Sequence, residues 1–166
     1  MTTSAHINGP LSPDQAIAAE RAIRRCLLDY CRGIDRCDET LVASVFHVDG
    51  TGDYGSFVGL GSDFAKHATA KMRVYAISTM HLIGDSIFDF TSLLTADVET
   101  PIMALHRCRS DDGEFFERFG GRYFDHFECR DGDWRIAHRK LTQDWDTKEL
   151  VEPAFVPNRF HPSPRL

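Results

Sequence analysis

The first third of the chain repeats its apolar residues at helical spacing. Ala16, Ala19, Ile23, Leu27, Tyr30 and Ile34 fall on one stripe, which predicts an amphipathic helix over residues 13–35. Ser12-Pro13-Asp14-Gln15 marks its start: Ser12 can cap, Pro13 suits the first helical position and Gln15 can complete a capping box. The helix is expected to end at a turn over Arg36-Cys37-Asp38, with a short second helix over 39–46. Residues 48–61 hold five glycines among short apolar pieces, which predicts a short strand around Asp53-Tyr54 and then a loop. Ser62 is expected to cap a third helix reaching about residue 75.

From Thr79 onward the pattern becomes β. Strands are expected over 79–90 and 94–108, with a turn near Thr91-Ser92, and over 115–129 after a turn at Asp111-Asp112-Gly113. Arg130-Asp131-Gly132-Asp133 is the clearest hairpin turn, followed by a last strand over 134–145. Helices first and long antiparallel strands later argue for an α+β domain with its helices on one face of the sheet. The expected organisation is a flexible lead-in over 1–11, one domain over 12–146 and a tail over 147–166. Pro153, Pro157, Pro162 and Pro164 argue against regular structure in that tail. Its apolar Phe155, Val156 and Phe160 fit a segment lying on a surface, that of a neighbouring subunit included; a disordered tail is the alternative.

Composition narrows the function. A chain of 166 residues buries roughly 70% of its unfolded surface and needs no covalent staples. Its net charge of −6 repels phosphate backbones, so nucleic acid is not an expected partner. Five cysteines without a Cys-x-x-Cys pair read as reduced thiols, not a disulfide framework or a zinc site, and so point to the cytoplasm. The first ten residues lack the apolar core of a signal peptide, and no apolar run suits a bilayer. Gly59-Leu60-Gly61 lacks the third glycine and the preceding buried strand of a dinucleotide loop, so no cofactor is expected.

Two stretches resemble one family. The run Gly121-Arg122-Tyr123-Phe124-Asp125-His126-Phe127-Glu128, with Asp131-Gly132-Asp133-Trp134-Arg135-Ile136-Ala137-His138-Arg139, resembles the last hairpin of SnoaL-like proteins in the nuclear transport factor 2-like superfamily. Tyr30-x-x-Gly33-x-Asp35 and Ser78-Thr79-Met80-His81-x-x-Gly84 match the same group, and the likeness spans about residues 14–146. The resemblance implies a cone: a strongly curved antiparallel sheet wrapped around the N-terminal helices and enclosing a deep pocket. Members include scytalone dehydratase, a bile-acid dehydratase and hexachlorocyclohexane dehydrochlorinase, in which an Asp near the end of the first helix pairs with a proton-abstracting His on a strand. Asp35 and His81 stand at those positions. Asp85 departs from the pattern, where a neutral Asn is expected; its carboxylate would sit at the sheet edge or change the pocket's charge.

A neutral imidazole is a competent base near pH 7, and a carboxylate on its second nitrogen fixes the tautomer and stabilises the imidazolium. Taken alone, His81 also fits a packed strand residue and Asp35 a helix terminator, although an Asp there opposes the macrodipole. Tyr30 can reach the same cavity as a proton donor, or serve as a core aromatic. The resemblance places Arg139 in the pocket, where it would stabilise an oxyanion or a departing anion. His138 and Arg139 face opposite sides, and a bulge would swap them. Tyr54, Phe88 and Phe119 are expected to line the pocket; twelve phenylalanines suit an apolar, ring-sized ligand. Arg122 is expected to pair with an acid across the sheet, and His47, His67, His106, His126 and His161 to be structural or exposed.

The function expected first is a cofactor-free lyase or isomerase, dehydratase-like, acting through His81 and Asp35. The alternatives are a polyketide-type cyclase catalysing an aldol step, and a non-catalytic dioxygenase small subunit or ligand-binding module. A homo-oligomer is expected from the outer apolar face that a curved sheet exposes, with the resemblance favouring a trimer over a dimer.

Overall fold

A computed structural model describes residues 11–111, 113–156, 159 and 161; most of the expected lead-in, Asp112 of one expected turn, and much of the tail lie outside them. The chain runs α1 (Pro13–Arg36), α2 (Glu39–Ser44), β1 (Phe46–Asp53), β2 (Val58–Leu60), α3 (Gly61–Tyr75), β3 (Ala76–Ile83), β4 (Ile87–Ser92), β5 (Thr95–Ser110), β6 (Gly113–Arg130) and β7 (Asp133–Leu150). No helix among the described residues is long and apolar enough to cross a membrane.

Local chemistry explains the termini of α1. Ser12 Oγ accepts the Gln15 N–H at 3.3 Å and the Gln15 side chain accepts the Ser12 N–H at 2.9 Å, the reciprocal capping box. At the other end Cys37 adopts a left-handed conformation, φ 56°, and Asp38 N–H reaches back to Gly33 O at 2.8 Å. The Asp38 carboxylate then caps α2 through Leu41 N–H at 2.9 Å. Asp131 and Gly132, at φ 56° and 88°, form the tight β6–β7 turn that the sequence predicts.

The sheet order is β2-β1-β7-β6-β5-β3, with β4 also paired to β5. Its long strands curve around the helices in the expected α+β cone. Pairing is antiparallel except between β1 and β7, which run parallel; that junction joins elements far apart in sequence, so no turn signal announces it. The expected strand at 53–54 is the end of a longer β1, and β2 forms within the expected loop. Leu60, not Ser62, is the N-cap of α3, and no side chain bonds there. The expected strand over 79–90 is two, broken at Gly84, whose N–H bonds Pro101 O at 2.9 Å. β7 continues past residue 146 to Leu150 because Thr147–Leu150 pair with Phe115–Arg118, so the start of the expected irregular tail is regular strand.

Two bulges lie in the β6–β7 pairing, between Gly120 and Gly121 and between His126 and Phe127. The first is built on absent side chains. A Cβ on Gly121 would lie 2.0 Å from Thr142 O, which is backbone and cannot step aside. Gly121→Ala is expected to cost about 1–3 kcal/mol, the range of an overpacked site, read as a lowered urea midpoint. An unshifted midpoint would show that the two strands can part there.

The core joins the inner stripe of α1 (Ile23, Leu27, Tyr30, Ile34) to Phe64 of α3 and to Val98, Ile102, Phe127 and Ile136 of the sheet. The outer faces of β3, β5 and β7 leave Met80, Leu82, Met103 and Trp145 exposed.

Candidate active site

α1 packs against β3, which brings the last helical turn to the middle of that strand. Asp35 Oδ1 lies 2.8 Å from His81 Nδ1, and Oδ2 accepts the His81 backbone N–H at 3.1 Å. A carboxylate only accepts, so Nδ1 is the donor and Nε2 carries the lone pair of the neutral ring. Both side chains are largely withdrawn from solvent, at 9% exposure for His81 and 21% for Asp35.

His81 lines a cavity of about 510 Å³ between the helices and the concave side of the sheet. Ile34, Phe57, Phe64, Ile102, Phe119 and Leu141 form apolar wall, while Lys71, Arg118, Asp146 and Lys148 stand at the solvent side. Tyr30, Tyr54 and Tyr123 complete the deep end. Tyr54 stacks on Phe64 with centroids 3.5 Å apart, and Tyr30 meets Tyr123 edge-on at 5.6 Å. Burial pushes all three phenols up, against the opposing pull of the Arg139 charge, so they stay protonated donors at neutral pH. The Tyr54 hydroxyl is buried without a well-directed hydrogen bond. Among the described residues, no three His, Cys, Asp or Glu side chains converge as a metal-binding group.

The expected residues divide. Asp35 and His81 are brought together, and His81, Tyr30, Tyr54 and Phe119 all line the cavity. Phe88 does not. Its strand, β4, pairs with the far end of β5 in the register Phe88↔Val98, where Phe88 stacks on Phe90 beneath the Arg24 guanidinium. Arg139 does face inward. The bulge skips Ala137, so Ile136 and Arg139 are both fully buried and His138 is exposed. Yet Arg139 is not at the cavity wall. It makes two 2.7 Å bonds to the Asp125 carboxylate, and its guanidinium stacks on Tyr123 and Tyr30 at 3.9 and 4.3 Å from the ring centroids. It stands behind the cavity tyrosines, where it touches no ligand directly. Asp85 is fully exposed beside Arg24 at 3.6 Å, so its carboxylate is at the sheet edge and not in the cavity. Arg122 pairs across the sheet with Glu99 at 2.7 Å, as expected.

Two histidines expected to be structural or exposed line the cavity: His67, stacked on Phe57, and His106. The sequence carried a signal for His106. Ala96, Val98, Ile102, Ala104 and Cys108 alternate inward along β5, and His106 stands in the same register. His81 pairs with Ala104, which makes His106 its diagonal neighbour, with ring centroids 5.4 Å apart.

Burial, with His81 and Lys71 adding to it, pulls the His106 pKa down to about 4. The unfolded ring titrates near 6.5. Above that pH both states are neutral and nothing is lost. Below it the unfolded chain takes a proton that the folded chain refuses, so stability falls as pH drops from about 6.5 towards 4. The loss is expected to be on the order of 2–3 kcal/mol by pH 4. Urea titrations at neutral and acid pH check it: His106→Gln should flatten the dependence, and an acid limb unchanged in that variant would assign it to other groups.

A curved sheet around three helices, with a deep aromatic cavity, defines the nuclear transport factor 2-like architecture. Residues 15–140 match the SnoaL-like domain, and the chain belongs to that family. No curated protein matches the sequence significantly. The chain is similar in structure to a candidate scytalone dehydratase from Novosphingobium aromaticivorans, with TM-score 0.74, 26% identity, and coverage of 90% of this chain and 100% of that one. A type 2 hexachlorocyclohexane dehydrochlorinase gives 0.77 at 20% identity, covering 90% and 100%. The type 3 enzyme of Novosphingobium barchaimii gives 0.75 at 20%, covering 88% and 99%.

Proposed function

We propose that the protein is a cofactor-independent lyase or isomerase, dehydratase-like, in which His81 removes a proton from carbon in a small, apolar, ring-sized substrate. The observation that carries this is the 2.8 Å bond from Asp35 to His81 Nδ1 on the wall of an aromatic cavity. Nε2 accepts the proton from carbon. The electron pair left behind either expels a group from the neighbouring carbon or shifts into conjugation. Asp35, still ionised, stabilises the imidazolium that results. His81 then returns the proton, to the departing group or to a new carbon, and the ring is neutral again. This chemistry is balanced without an oxidant, a metal or an organic cofactor.

The surroundings support that assignment. Tyr30 and Tyr54 offer protonated phenols at the deep end, suited to a departing oxygen or a developing enolate. Arg139 acts as a positioning residue: its charge lies against Tyr30 and opposes the rise of that phenol's pKa. Phe57, Phe64 and Phe119 favour a flat, apolar ring. The structural neighbours, a candidate scytalone dehydratase and hexachlorocyclohexane dehydrochlorinases, are named for eliminations of this type.

The test is a panel of cyclic compounds with an acidic C–H and a neighbouring hydroxyl or halide, incubated with the protein in deuterated water. Mass spectrometry reads loss of the leaving group or gain of deuterium. A panel with neither change beyond buffer alone would sink the proposal.

A further inference from the structure

We propose that the substrate of this cavity is a ring carboxylate whose anionic group faces solvent, held there by Lys71 of α3 and Lys148 of β7; this rests on the reading of the cavity as a substrate site. Both lysines line the cavity and both are exposed at its open side. Lys148 Nζ lies 3.8 Å from the Phe115 ring centroid and Lys71 Nζ 6.0 Å from that of Tyr75. Those two rings meet edge to face at 6.1 Å, so one aromatic pair carries an ammonium on each flank.

The carboxylates nearby are hydrogen-bonded to other groups but keep their charge. Glu117 is the register partner of Lys148, yet it accepts the Tyr75 hydroxyl at 2.5 Å. Asp146 accepts the Gln143 amide at 2.7 Å, and Arg118, the third cation of the lining, is paired with Glu149 at 2.8 Å. Among the described residues, neither lysine has a carboxylate within ion-pair distance. The lining thus sets three cations, Lys71, Arg118 and Lys148, against two carboxylates, Glu117 and Asp146, a net positive opening in a chain of net charge −6. Its field is felt inside: Lys71 opposes protonation of His106 on the cavity wall. A cation over a ring face at an exposed site is weakly held, so either ammonium can leave its ring for an arriving carboxylate. The deep end offers that ligand only apolar surface and neutral hydroxyls. An amphipathic acid thus enters ring first, and the cations steer it.

Calorimetry of the full chain with naphthoate and with naphthylmethanol, equal in ring and near-equal in size, tests this. Wild type is expected to prefer naphthoate about tenfold at low salt, the effect of two partly screened ion pairs, and to lose the preference as salt is added. Lys71→Met/Lys148→Met is expected to bind both ligands as wild type binds the alcohol. A wild type without the preference, including one that binds neither ligand, overturns the proposal, as does a double variant that keeps it. If the double variant loses both ligands alike, Lys71→Arg/Lys148→Arg decides: the preference retained supports charge recognition, and its loss overturns it. Binding is read without turnover, so a protein inactive on every substrate that still prefers naphthoate overturns the catalytic reading and leaves this one standing.

Discussion

Replacing His81 by Ala is expected to lower turnover by about 10²- to 10⁴-fold, the contribution of a positioned general base, while the fold survives. The fold should survive because Asp35 keeps one of its two bonds to residue 81, the 3.1 Å contact with the backbone N–H, whatever the side chain. The measurement is initial rate on any compound that the wild type transforms, with circular dichroism and a melting curve on the same sample. Unchanged turnover in a folded His81→Ala protein would remove His81 from the chemistry. Asp35→Asn sharpens the outcome. If His81 is the base, the Asn variant keeps a proton acceptor in the imidazole and loses only its orientation and charge support, so it is the less damaged of the two. A larger loss in Asp35→Asn would make the carboxylate the base, as an aldol cyclase would use it.

The largest effect on stability is expected at Arg139 and Asp125, both at 0% side-chain exposure. Arg139→Met leaves the Asp125 carboxylate buried without its partner, and Asp125→Leu strands the guanidinium. Each is expected to destabilise by about 3–5 kcal/mol, the range for breaking a buried pair from one side. The double variant, Asp125→Leu/Arg139→Met, removes both desolvation penalties and should recover most of the loss. Urea unfolding of the three variants closes the cycle. Single variants that cost less than about 1 kcal/mol, the worth of an exposed pair, would show that water reaches the charges. Tyr30 and Tyr123 rest on this guanidinium, so the single variants should also loosen the deep wall of the cavity.

Local signals were legible in the sequence. The Ser12–Gln15 capping box and the Asp131-Gly132 turn are set by residues within a few positions of one another, and both form as expected. Asp35 and His81 were found only through the resemblance, since neither residue alone distinguishes a site from a packed strand. What escaped depends on distance or on parity. The parallel junction of β1 and β7 joins Phe46 to Ile136, and nothing in either segment names the other. The skipped Ala137 decides which of His138 and Arg139 turns inward, and a bulge has no dependable sequence mark. A phenylalanine on a strand of a cone suits the pocket wall, but the break at Gly84 places Phe88 on β4, at the far end of β5 from the cavity. His106 shares the inward alternation of β5 with Ala104 and Cys108, and that parity is its signal in the sequence.

The parallel junction also bears on how the molecule is made. β7 is the last strand among the described residues, yet in the sheet it lies inside, bonded to β1 on one side and β6 on the other. Until it arrives, the β1–β2 pair has no third strand to join and the cavity has no floor on that side. A growing chain on the ribosome therefore carries its glycine-rich β1 and β2 outside the main sheet until the β6–β7 hairpin emerges. Such late, long-range closure slows folding and lengthens exposure to aggregation. Truncation within β7 accordingly removes the keystone of the sheet, whereas the residues beyond Leu150 follow after the last sheet pairing has been made.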